Sequence, residues 1–180
     1  MNNLLFRTGE ATVLAAKGQY TDAMPEVVIG TIDGPVGQAF ASMMGQSLGH
    51  TRFFVIRNLN QMVRPAAMMT SKVTIPNGAY VGLFGGVVQA ATGDAIVDCL
   101  KEDILPKDKA NELCMILTIW LDPRCADHAE LDKRDLYRCN YEATKLAIAR
   151  AMRCEPSVEE LISNRDKVQH YALTGVFPPK

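Results

Sequence analysis

The side chains with the clearest chemical potential lie in residues 60–75, where a polar turn leads through an Arg-Pro pair into a predicted strand. Because successive strand residues point to opposite faces, Thr70, Lys72 and Thr74 should share one face. An ammonium between two hydroxyls is costly in an apolar core but suits a pocket for a polar ligand. The simpler alternative is a half-exposed strand with a solvated Lys72, and the pattern by itself favours that alternative.

Outside this stretch the sequence contains no recognisable catalytic set. It has no Ser-His-Asp combination, no clustered carboxylate pair, and no histidine or cysteine spacing typical of a metal site. The odd number of cysteines and the lack of a C-x-x-C pair indicate small hydrophobic side chains in a reducing compartment. The histidines are His50, His128 and His170, and the cysteines are Cys99, Cys114, Cys125, Cys139 and Cys154.

The composition is that of a soluble globular domain. The 180 residues are 48% hydrophobic and 22% charged with a formal net charge of -1, which predicts one domain with a sizeable core. Because there is no basic field, the expected partner is a small molecule or a protein rather than nucleic acid or a membrane. The amino terminus does not resemble a signal peptide, and the apolar runs look too short or too rich in glycine to cross a bilayer. We therefore expect a cytoplasmic protein.

The elements that must position Lys72 begin with two strands and a helix. Residues 6–16 form a plausible first strand, and residues 26–32 are β-branched and apolar, as in a buried strand. An Asp-Gly-Pro sequence at 33–35 then opens a helix, whose apolar residues recur at helical spacing as far as Leu48. Gly49 is predicted to end this helix, and residues 50–56 form the next strand.

A long helix and a central strand follow. Apolar residues spaced by three and four run from Val81 to Leu100. Within this helix Gly82, Gly85 and Gly86 each cost about 1 kcal/mol relative to alanine, which is tolerable if another backbone approaches closely. Residues 113–121 are continuously apolar, which is typical of a central strand covered on both faces.

Helices complete the chain. A charged turn or short helix spans residues 106–112, and a charged helix with periodic apolar residues spans 131–151. Ser157 and Glu160 form an S-x-x-E capping box for a final helix that runs to about Val168. The order β-β-α-β-β-α-β-α-α predicts a two-layer α+β domain with helices packed on one sheet.

Several short blocks of residues occur along the chain in an order typical of one protein family. They are Gly9-Glu10-Ala11, Ile29-Gly30 with Gly34-Pro35 and Ala39-Phe40, Gly49-His50-Thr51, Asn60 with Arg64-Pro65, Lys72-Val73-Thr74-Ile75, Ile104-Leu105-Pro106 and Asn140-Tyr141-Glu142-Ala143-Thr144-Lys145. This is the order seen in the formaldehyde-activating enzyme family, which the chain resembles from Gly9 to Met152. The Lys-Val-Thr-Ile and Asn-Tyr-Glu-Ala-Thr-Lys blocks are the most specific.

The resemblance implies a fold, an assembly and a reaction. It implies one domain over residues 1–180, with a core at 9–152 and a helical extension at 156–170, in the α+β fold of ribosomal protein S5 domain 2 with a mixed or antiparallel sheet. It implies a homopentamer that binds a pterin between neighbouring subunits. The family's hydro-lyase-type reaction condenses formaldehyde with tetrahydromethanopterin to methylene-tetrahydromethanopterin and water, as in methylotrophic one-carbon metabolism. The pterin is a co-substrate, and neither a metal nor a covalently bound cofactor is expected.

Pocket residues carry over from the family by motif. The Lys and Thr of Lys-Val-Thr-Ile correspond to Lys72 and Thr74, and a pocket Gln of the long helix corresponds to Gln89. A family Leu becomes Phe54, and a family Asp that contacts the substrate becomes Glu26. These five residues are the expected substrate contacts.

The chain departs from the family pattern at its proposed acid. Where the family has Ala-His-Ile-Asp, this sequence reads Ala-Met-Pro-Glu, so Met24 replaces the histidine. The preceding loop, residues 17–22, is about three residues longer than the resemblance predicts. A thioether cannot donate the proton that helps water leave the carbinolamine, and removing such an acid costs on the order of 10²-fold to 10⁴-fold in rate.

Three accounts of the function remain open. The chain could be a condensing enzyme whose acid is now Glu26, Tyr20 or Asp22. It could instead be a weak or inactive paralogue that holds a pterin, or that senses formaldehyde through a reversible carbinolamine at Lys72. Thirdly, it could be a structural partner in pentamers, alone or mixed with an active relative. Family activity favours the enzyme over the other two.

Overall fold

The computed structural model describes residues 4–45 and 52–174. The strands are β1 Arg7–Glu10, β2 Glu26–Thr31, β3 Arg52–Phe54, β4 Ile56–Asn58, β5 Gln61–Met62, β6 Ala66–Ser71 and β7 Leu113–Ile119. The helices are α1 Pro35–Met44, α2 Gly78–Leu83, α3 Gln89–Lys101, α4 Lys133–Arg153, α5 Val158–Asn164 and α6 Tyr171–Thr174. A π-helical turn, Phe84–Val88, joins α2 to α3.

Five strands form one mixed sheet in the order β1-β2-β7-β6-β3. The β6–β7 pair is parallel and the other three pairs are antiparallel. The short strands β4 and β5 form a separate hairpin between β3 and β6. The predicted α+β class, with helices packed on a mixed sheet, is therefore confirmed, while the β4–β5 hairpin was not predicted.

One face of the sheet, here called the covered face, packs against α3 and α4. Alternate residues of the central strands point into this core, and Ile29, Met69 and Leu117 are each 0% exposed. Helix α4 lies so close to β1 that a Cβ built on Gly9 would sit 2.1 Å from the carbonyl oxygen of Ala147. Only glycine fits this contact, which fixes β1 and its neighbour β2 beneath α4.

The opposite face, here called the open face, is covered at one end only. Helix α1 packs there on β2 and β7, with Val36 against Gly30 and Phe40 stacked on Phe54. Pro35 begins α1 in the first turn, as predicted, and α1 ends at Met44 with Gly45 as its C-cap. Leu48 and Gly49, the predicted end of this helix, lie outside the described residues, as do His50 and Thr51.

The longest helix is continuous from Gly78 to Lys101. Its 24 residues make it long and apolar enough to span a membrane by length and composition alone, which differs from the expectation that the apolar runs are too short or too rich in glycine. Phe84, Val88 and Ile96 nevertheless belong to the hydrophobic core. The helix packs in the domain as a core helix does.

Gly82, Gly85 and Gly86 of this helix meet no other backbone within the described residues, whereas a Cβ built on Gly93 would lie 3.4 Å from the carbonyl oxygen of Ile56. A Cβ built on Gly82 or Gly86 has no atom within 4 Å, and one on Gly85 meets only the ring of Phe53 at 3.9 Å. Within the single chain, a close backbone approach therefore does not account for these three glycines. Gly85 and Gly86 lie instead in the π-helical turn, an irregularity that often marks functional positions.

Three predicted strands are shorter or less enclosed than expected. The first ends at Glu10 rather than residue 16, because Pro25 has no N–H to continue the ladder and only an isolated Val13–Ala23 bridge follows. Strand β6 ends at Ser71, whose hydroxyl bonds the backbone of Val73 and bends the chain. Strand β7 is central, but only its covered face is enclosed along the whole strand.

The carboxyl-terminal extension forms helices on the surface. Ser157 and Glu160 make the predicted capping box at the start of α5. Helix α5 ends at Asn164, earlier than predicted, and the short α6 follows. Val158, Leu161 and Ile162 are exposed, so local capping rather than core packing defines this helix.

Candidate functional site

Polar side chains of three adjacent strands form a row on the open face. Glu26 of β2 is in register with Thr118 of β7, and Thr118 is in register with Thr70 of β6. The Thr118 hydroxyl donates to Glu26 Oε2 at 2.9 Å. Thr70 is 9% exposed, whereas the Glu26 side chain is 61% exposed. The row therefore rises from a nearly buried hydroxyl to an accessible carboxylate.

Lys72 completes this cluster from the end of β6. Its backbone N–H donates to the carbonyl oxygen of Ile119 at 3.0 Å, which holds the residue beside β7 although the strand has ended. Its ammonium lies 2.7 Å from Glu26 Oε1, and its side chain is only 22% exposed. Lys72 is thus oriented by an ion pair, so the simple alternative of a freely solvated lysine does not describe it.

The ion pair determines the charge state of Glu26. The hydrogen bond from Lys72 is the main cause that lowers the pKa of Glu26; partial burial raises it, and the Thr118 hydroxyl lowers it further. Glu26 is consequently a carboxylate at neutral pH. In this arrangement it is suited to accept a proton or stabilise a cation, and unsuited to act as the replacement acid.

A cavity of about 740 Å³ adjoins the cluster at the same end of the open face. Met24 lies on its wall, two residues from Glu26, and Trp120 lies two residues beyond Thr118 on the neighbouring strand. Both residues lie just beyond the strand ends, and continued alternation from Glu26 and Thr118 would place them on the face of those two side chains. The rest of the lining comes mainly from the loop before Met24 and the turn after β7: Thr12, Leu14, Gly18, Gln19, Tyr20, Asp22, Asp122, Arg124 and Tyr171.

The loop that walls this cavity is anchored to α4. The buried carboxylate of Asp135 accepts hydrogen bonds from the Thr21 hydroxyl and from the backbone N–H of Ala16 at 2.9 Å. Gln19 reaches the backbone of Asp132 and Glu130 at 3.0 and 3.1 Å. These contacts hold the extended loop in a defined position at the cavity.

Charged and aromatic groups of the wall are also paired. Arg124 binds both carboxylate oxygens of Asp122 and lies 4.0 Å from the centre of the Tyr20 ring. The hydrogen bond from Arg124 is the largest influence on Asp122 and lowers its pKa. The Tyr20 ring also meets the ring of His128 in an edge-type contact, with ring centres 5.3 Å apart.

A second concavity extends from the cluster in the other direction. It encloses about 840 Å³ and runs from Glu26 and Val28 across β1 to residues 154–158. At its far end the Arg7 guanidinium contacts the exposed Cys154 thiol. Among the residues that the structure describes, no three His, Cys, Asp or Glu side chains group as possible metal ligands.

Comparison with known proteins gives one consistent result. The family model for formaldehyde-activating enzyme matches residues 8–173. The chain belongs to the formaldehyde-activating enzyme family. Its membership supports a formaldehyde-activating-enzyme-like function and a place in one-carbon metabolism.

The curated relatives of this family member are longer than the chain itself. The bifunctional enzyme Fae/Hps of Methanosphaera stadtmanae is 35% identical over 146 residues, 81% of this chain and 35% of the relative. That of Methanothrix thermoacetophila is 33% identical over 168 residues, 92% of this chain and 41% of the relative. That of Methanosarcina mazei is 33% identical over 181 residues, 97% of this chain and 44% of the relative. The chain thus spans about two-fifths of the length of these relatives.

Four of the six family positions lie on one surface of this formaldehyde-activating-enzyme-family chain. Glu26 and Lys72 form the ion pair of the polar row, and Met24, two residues before Glu26, lines the adjoining cavity. Phe54 is on the same face of the sheet, opposite Met68 in register and stacked on Phe40 with ring centres 5.8 Å apart. It forms an apolar rim beside α1.

The other two family positions lie elsewhere in the subunit. Thr74 follows the end of β6 and is exposed, so its predicted strand alignment with Lys72 was wrong. Gln89 begins α3 and both ends of its amide bond backbone: Oε1 accepts from Ile56 N–H at 3.0 Å and Nε2 donates to Gly85 O at 2.6 Å. Within one chain, Gln89 holds the π-helical turn to β4 and does not face Glu26.

Two residues of the site were missed from the sequence. Thr118 and Trp120 occur in the apolar run 113–121, which was interpreted as enclosed on both faces. Their polar or amphipathic character at alternate positions was the available signal. Because Thr118 is half-buried and in register with Glu26, it belongs to the polar row.

Proposed function

We propose that this chain condenses formaldehyde with tetrahydromethanopterin to give methylene-tetrahydromethanopterin and water. The observation that carries the proposal is the Glu26–Lys72–Thr118 cluster on the open face of a formaldehyde-activating-enzyme-family subunit. The cluster adjoins a cavity large enough for a bicyclic ring.

The proposed reaction has three chemical steps. One amine of the pterin adds to the formaldehyde carbon, and the nitrogen proton moves to the oxygen, giving a carbinolamine. The hydroxyl leaves as water when it takes up a proton, and a cationic iminium forms. A second nitrogen then attacks the iminium carbon and releases one proton, so formaldehyde and two N–H groups become a methylene bridge and water.

The chain's own residues would act mainly by charge and position. The Glu26 carboxylate is placed to stabilise the cationic iminium and to accept the proton released at ring closure. Lys72 and Thr118 hold that carboxylate by hydrogen bonds at 2.7 and 2.9 Å. Bringing the reactants together contributes to rate even without an acid, because orientation alone lowers the barrier.

Met24 supports a second candidate function. At the boundary of the cavity it offers a thioether where proton donation is needed, and the lowered pKa of Glu26 argues against that carboxyl as the donor. The alternative is therefore a paralogue that binds a pterin with little or no turnover.

We further propose that the chain forms homopentamers. In one chain the Gln89 amide is used by backbone groups, and Thr74 is exposed beyond the end of β6, so neither completes the pocket around Lys72. A pocket shared between neighbouring subunits would bring such positions together. Light scattering coupled to size-exclusion chromatography should give five times the mass of the chain; a monomer would contradict this proposal.

A rate measurement separates the enzyme from the binding paralogue. Formaldehyde and tetrahydromethanopterin are mixed with the protein, and product formation is compared with the spontaneous reaction. We expect a rate above the blank that Lys72→Met reduces and that Lys109→Met, an exposed control, leaves unchanged. A rate equal to the blank together with saturable pterin binding would establish the binding paralogue instead.

A further inference from the structure

The cavity beside Met24 offers more than space for a ligand. We propose that it binds the ring of the amine co-substrate, a planar heterocycle with N–H donors along one edge, with Asp22 as the acceptor and Trp120 as the stacking wall. This inference rests on the proposed function, and it assigns to the extended loop a role in ligand recognition.

The location of the cavity supports this assignment. Thr70 is in register with Thr118, and the Lys72 N–H binds Ile119 O, so Lys72 is the neighbour of Trp120 across β6 and β7. Met24 lies two residues before Glu26, just ahead of the start of β2. A ring held against Trp120 and Met24 would therefore lie beside the Glu26–Lys72 ion pair.

Asp22 is the carboxylate of the lining that retains capacity to bind a ligand. Its Oδ1 accepts the backbone N–H of Ala15 at 2.9 Å, and its Oδ2 has no partner among the described residues. The other lining carboxylate, Asp122, is occupied by Arg124 on both oxygens. A carboxylate with one oxygen fixed and one available is suited to accept an N–H donor from a ligand.

Trp120 is the aromatic ring of the lining that is available for stacking. It is half-buried, lines the cavity, and pairs with no other ring within the described residues. The Tyr20 ring, in contrast, already contacts Arg124 and His128. Indole faces favour flat partners, so the wall suits a planar ring better than an aliphatic amine.

The cavity is also preorganised. Asp135 and Gln19 fix the loop to α4 and its preceding turn, so binding a ring would not require the loop to become ordered first. Preorganisation reduces the entropic cost of binding. A volume of about 740 Å³ lies within the range of small-molecule sites and is generous for a ring system.

The test compares two rings that differ at one group. 6-Methylpterin carries a 2-amino group beside a ring N–H, whereas 6-methyllumazine has an oxygen in place of that amino group. We expect Asp22→Asn to weaken 6-methylpterin binding by about tenfold to a hundredfold, because an ionised acceptor is lost. We expect 6-methyllumazine to bind weakly to both proteins. Asn at this position can still accept the Ala15 N–H, so the loop should be retained, and circular dichroism checks this.

Asp108→Asn is the matched control, because Asp108 is exposed in a distant turn. Calorimetric titration with 6-methylpterin should give Asp108→Asn the same affinity as the unmodified chain. Trp120 is the only tryptophan, so its fluorescence should also be quenched by 6-methylpterin. Unchanged 6-methylpterin affinity in Asp22→Asn, equal affinity of the unmodified chain for the two rings, no quenching of Trp120, or no binding of 6-methylpterin to the unmodified chain would each overturn the inference.

The two proposals fail in distinguishable ways. If the condensation rate exceeds the blank but Asp22→Asn binds the pterin normally, the function stands and the cavity assignment is overturned. If pterin affinity depends on Asp22 but the rate equals the blank, the cavity assignment stands and the condensing function is overturned.

Discussion

The two faces of the sheet are made from alternate residues of the same strands, yet one face is buried in the core and the other is largely accessible. On β7, Met115, Leu117 and Ile119 are 0% exposed and pack in the core beneath α3 and α4. Between them, Ile116 and Thr118 are half-buried on the open face. Neighbouring residues of one strand therefore divide between the hydrophobic core and the accessible face to which we assign ligand binding.

Because of this difference, we expect that side chains of the open face can be substituted without loss of the fold. The covered face obtains its stability from apolar burial and close packing, which tolerate little change. The cluster of Glu26, Lys72 and Thr118 is held by hydrogen bonds at a solvent-accessible surface, where a change costs less stability. The exchange that the family resemblance implies at Met24, a thioether for an imidazole, would be a change of this second kind.

The largest expected effect is on the covered face. Leu117→Ala should lower the free energy of unfolding by about 2–5 kcal/mol, because it leaves a cavity in a fully buried site. Thr118→Val, one residue away, should lower it by less than about 1.5 kcal/mol. Urea denaturation measures both values, and equal losses would break the proposed division between the faces.

Removing the buried carboxylate of Asp135, which holds the loop of the cavity wall, should have the next largest effect. Burial raises the pKa of Asp135, but hydrogen bonds from Thr21, Ala16 and Arg138 outweigh it, so the pKa lies below the ordinary value of about 3.9. Asp135→Asn should reduce unfolding stability by about 1–3 kcal/mol at pH 7 and weaken pterin binding by loosening the loop.

The loss of stability caused by Asp135→Asn should depend on pH in a defined direction. A carboxyl whose pKa is lowered by folding stabilises the protein above its unfolded pKa, and this contribution is lost as the pH falls through the lower folded value. Thermal unfolding should show the same difference between Asp135→Asn and the unmodified chain at pH 7 and pH 5, narrowing below about pH 4. A difference that shrinks between pH 7 and pH 5 would contradict the lowered pKa.

The smallest of these effects concerns Lys72. Lys72→Met should leave unfolding stability nearly unchanged, because its partner Glu26 is largely exposed. It should weaken pterin binding by about tenfold, since a charge-assisted contact and the orientation of Glu26 are both lost. Titration calorimetry with Lys109→Met as the control measures this change, and unaltered affinity would remove Lys72 from the site.

Local sequence signals were sufficient for much of the fold. Pro35 at the start of α1, the apolar run of β7 and the Ser157–Glu160 capping box all predicted the elements that the structure contains. Each signal depends on chemistry within a few residues. The end of β1 was missed because it depends on Pro25, a residue of the opposing segment that cannot donate to the ladder.

The site was less predictable because it depends on register between distant strands. Thr118 gains its role from pairing with Glu26, 92 residues earlier in the chain. Lys72 was found from its neighbours in sequence, but its alignment with Thr74 failed because the Ser71 hydroxyl bends the chain. The resemblance supplied Met24, Glu26 and Gln89, and only the structure separates Gln89 from the other two.

The central claim is that the open face still holds a pocket for the pterin and formaldehyde, and that the missing imidazole limits its rate. The most direct test is the condensation rate of Met24→His, measured beside the unmodified chain at equal pterin saturation. Restoring a donor with a pKa near neutrality should raise kcat at least about tenfold. An unchanged kcat in a variant that binds the pterin as tightly as the unmodified chain would contradict the account.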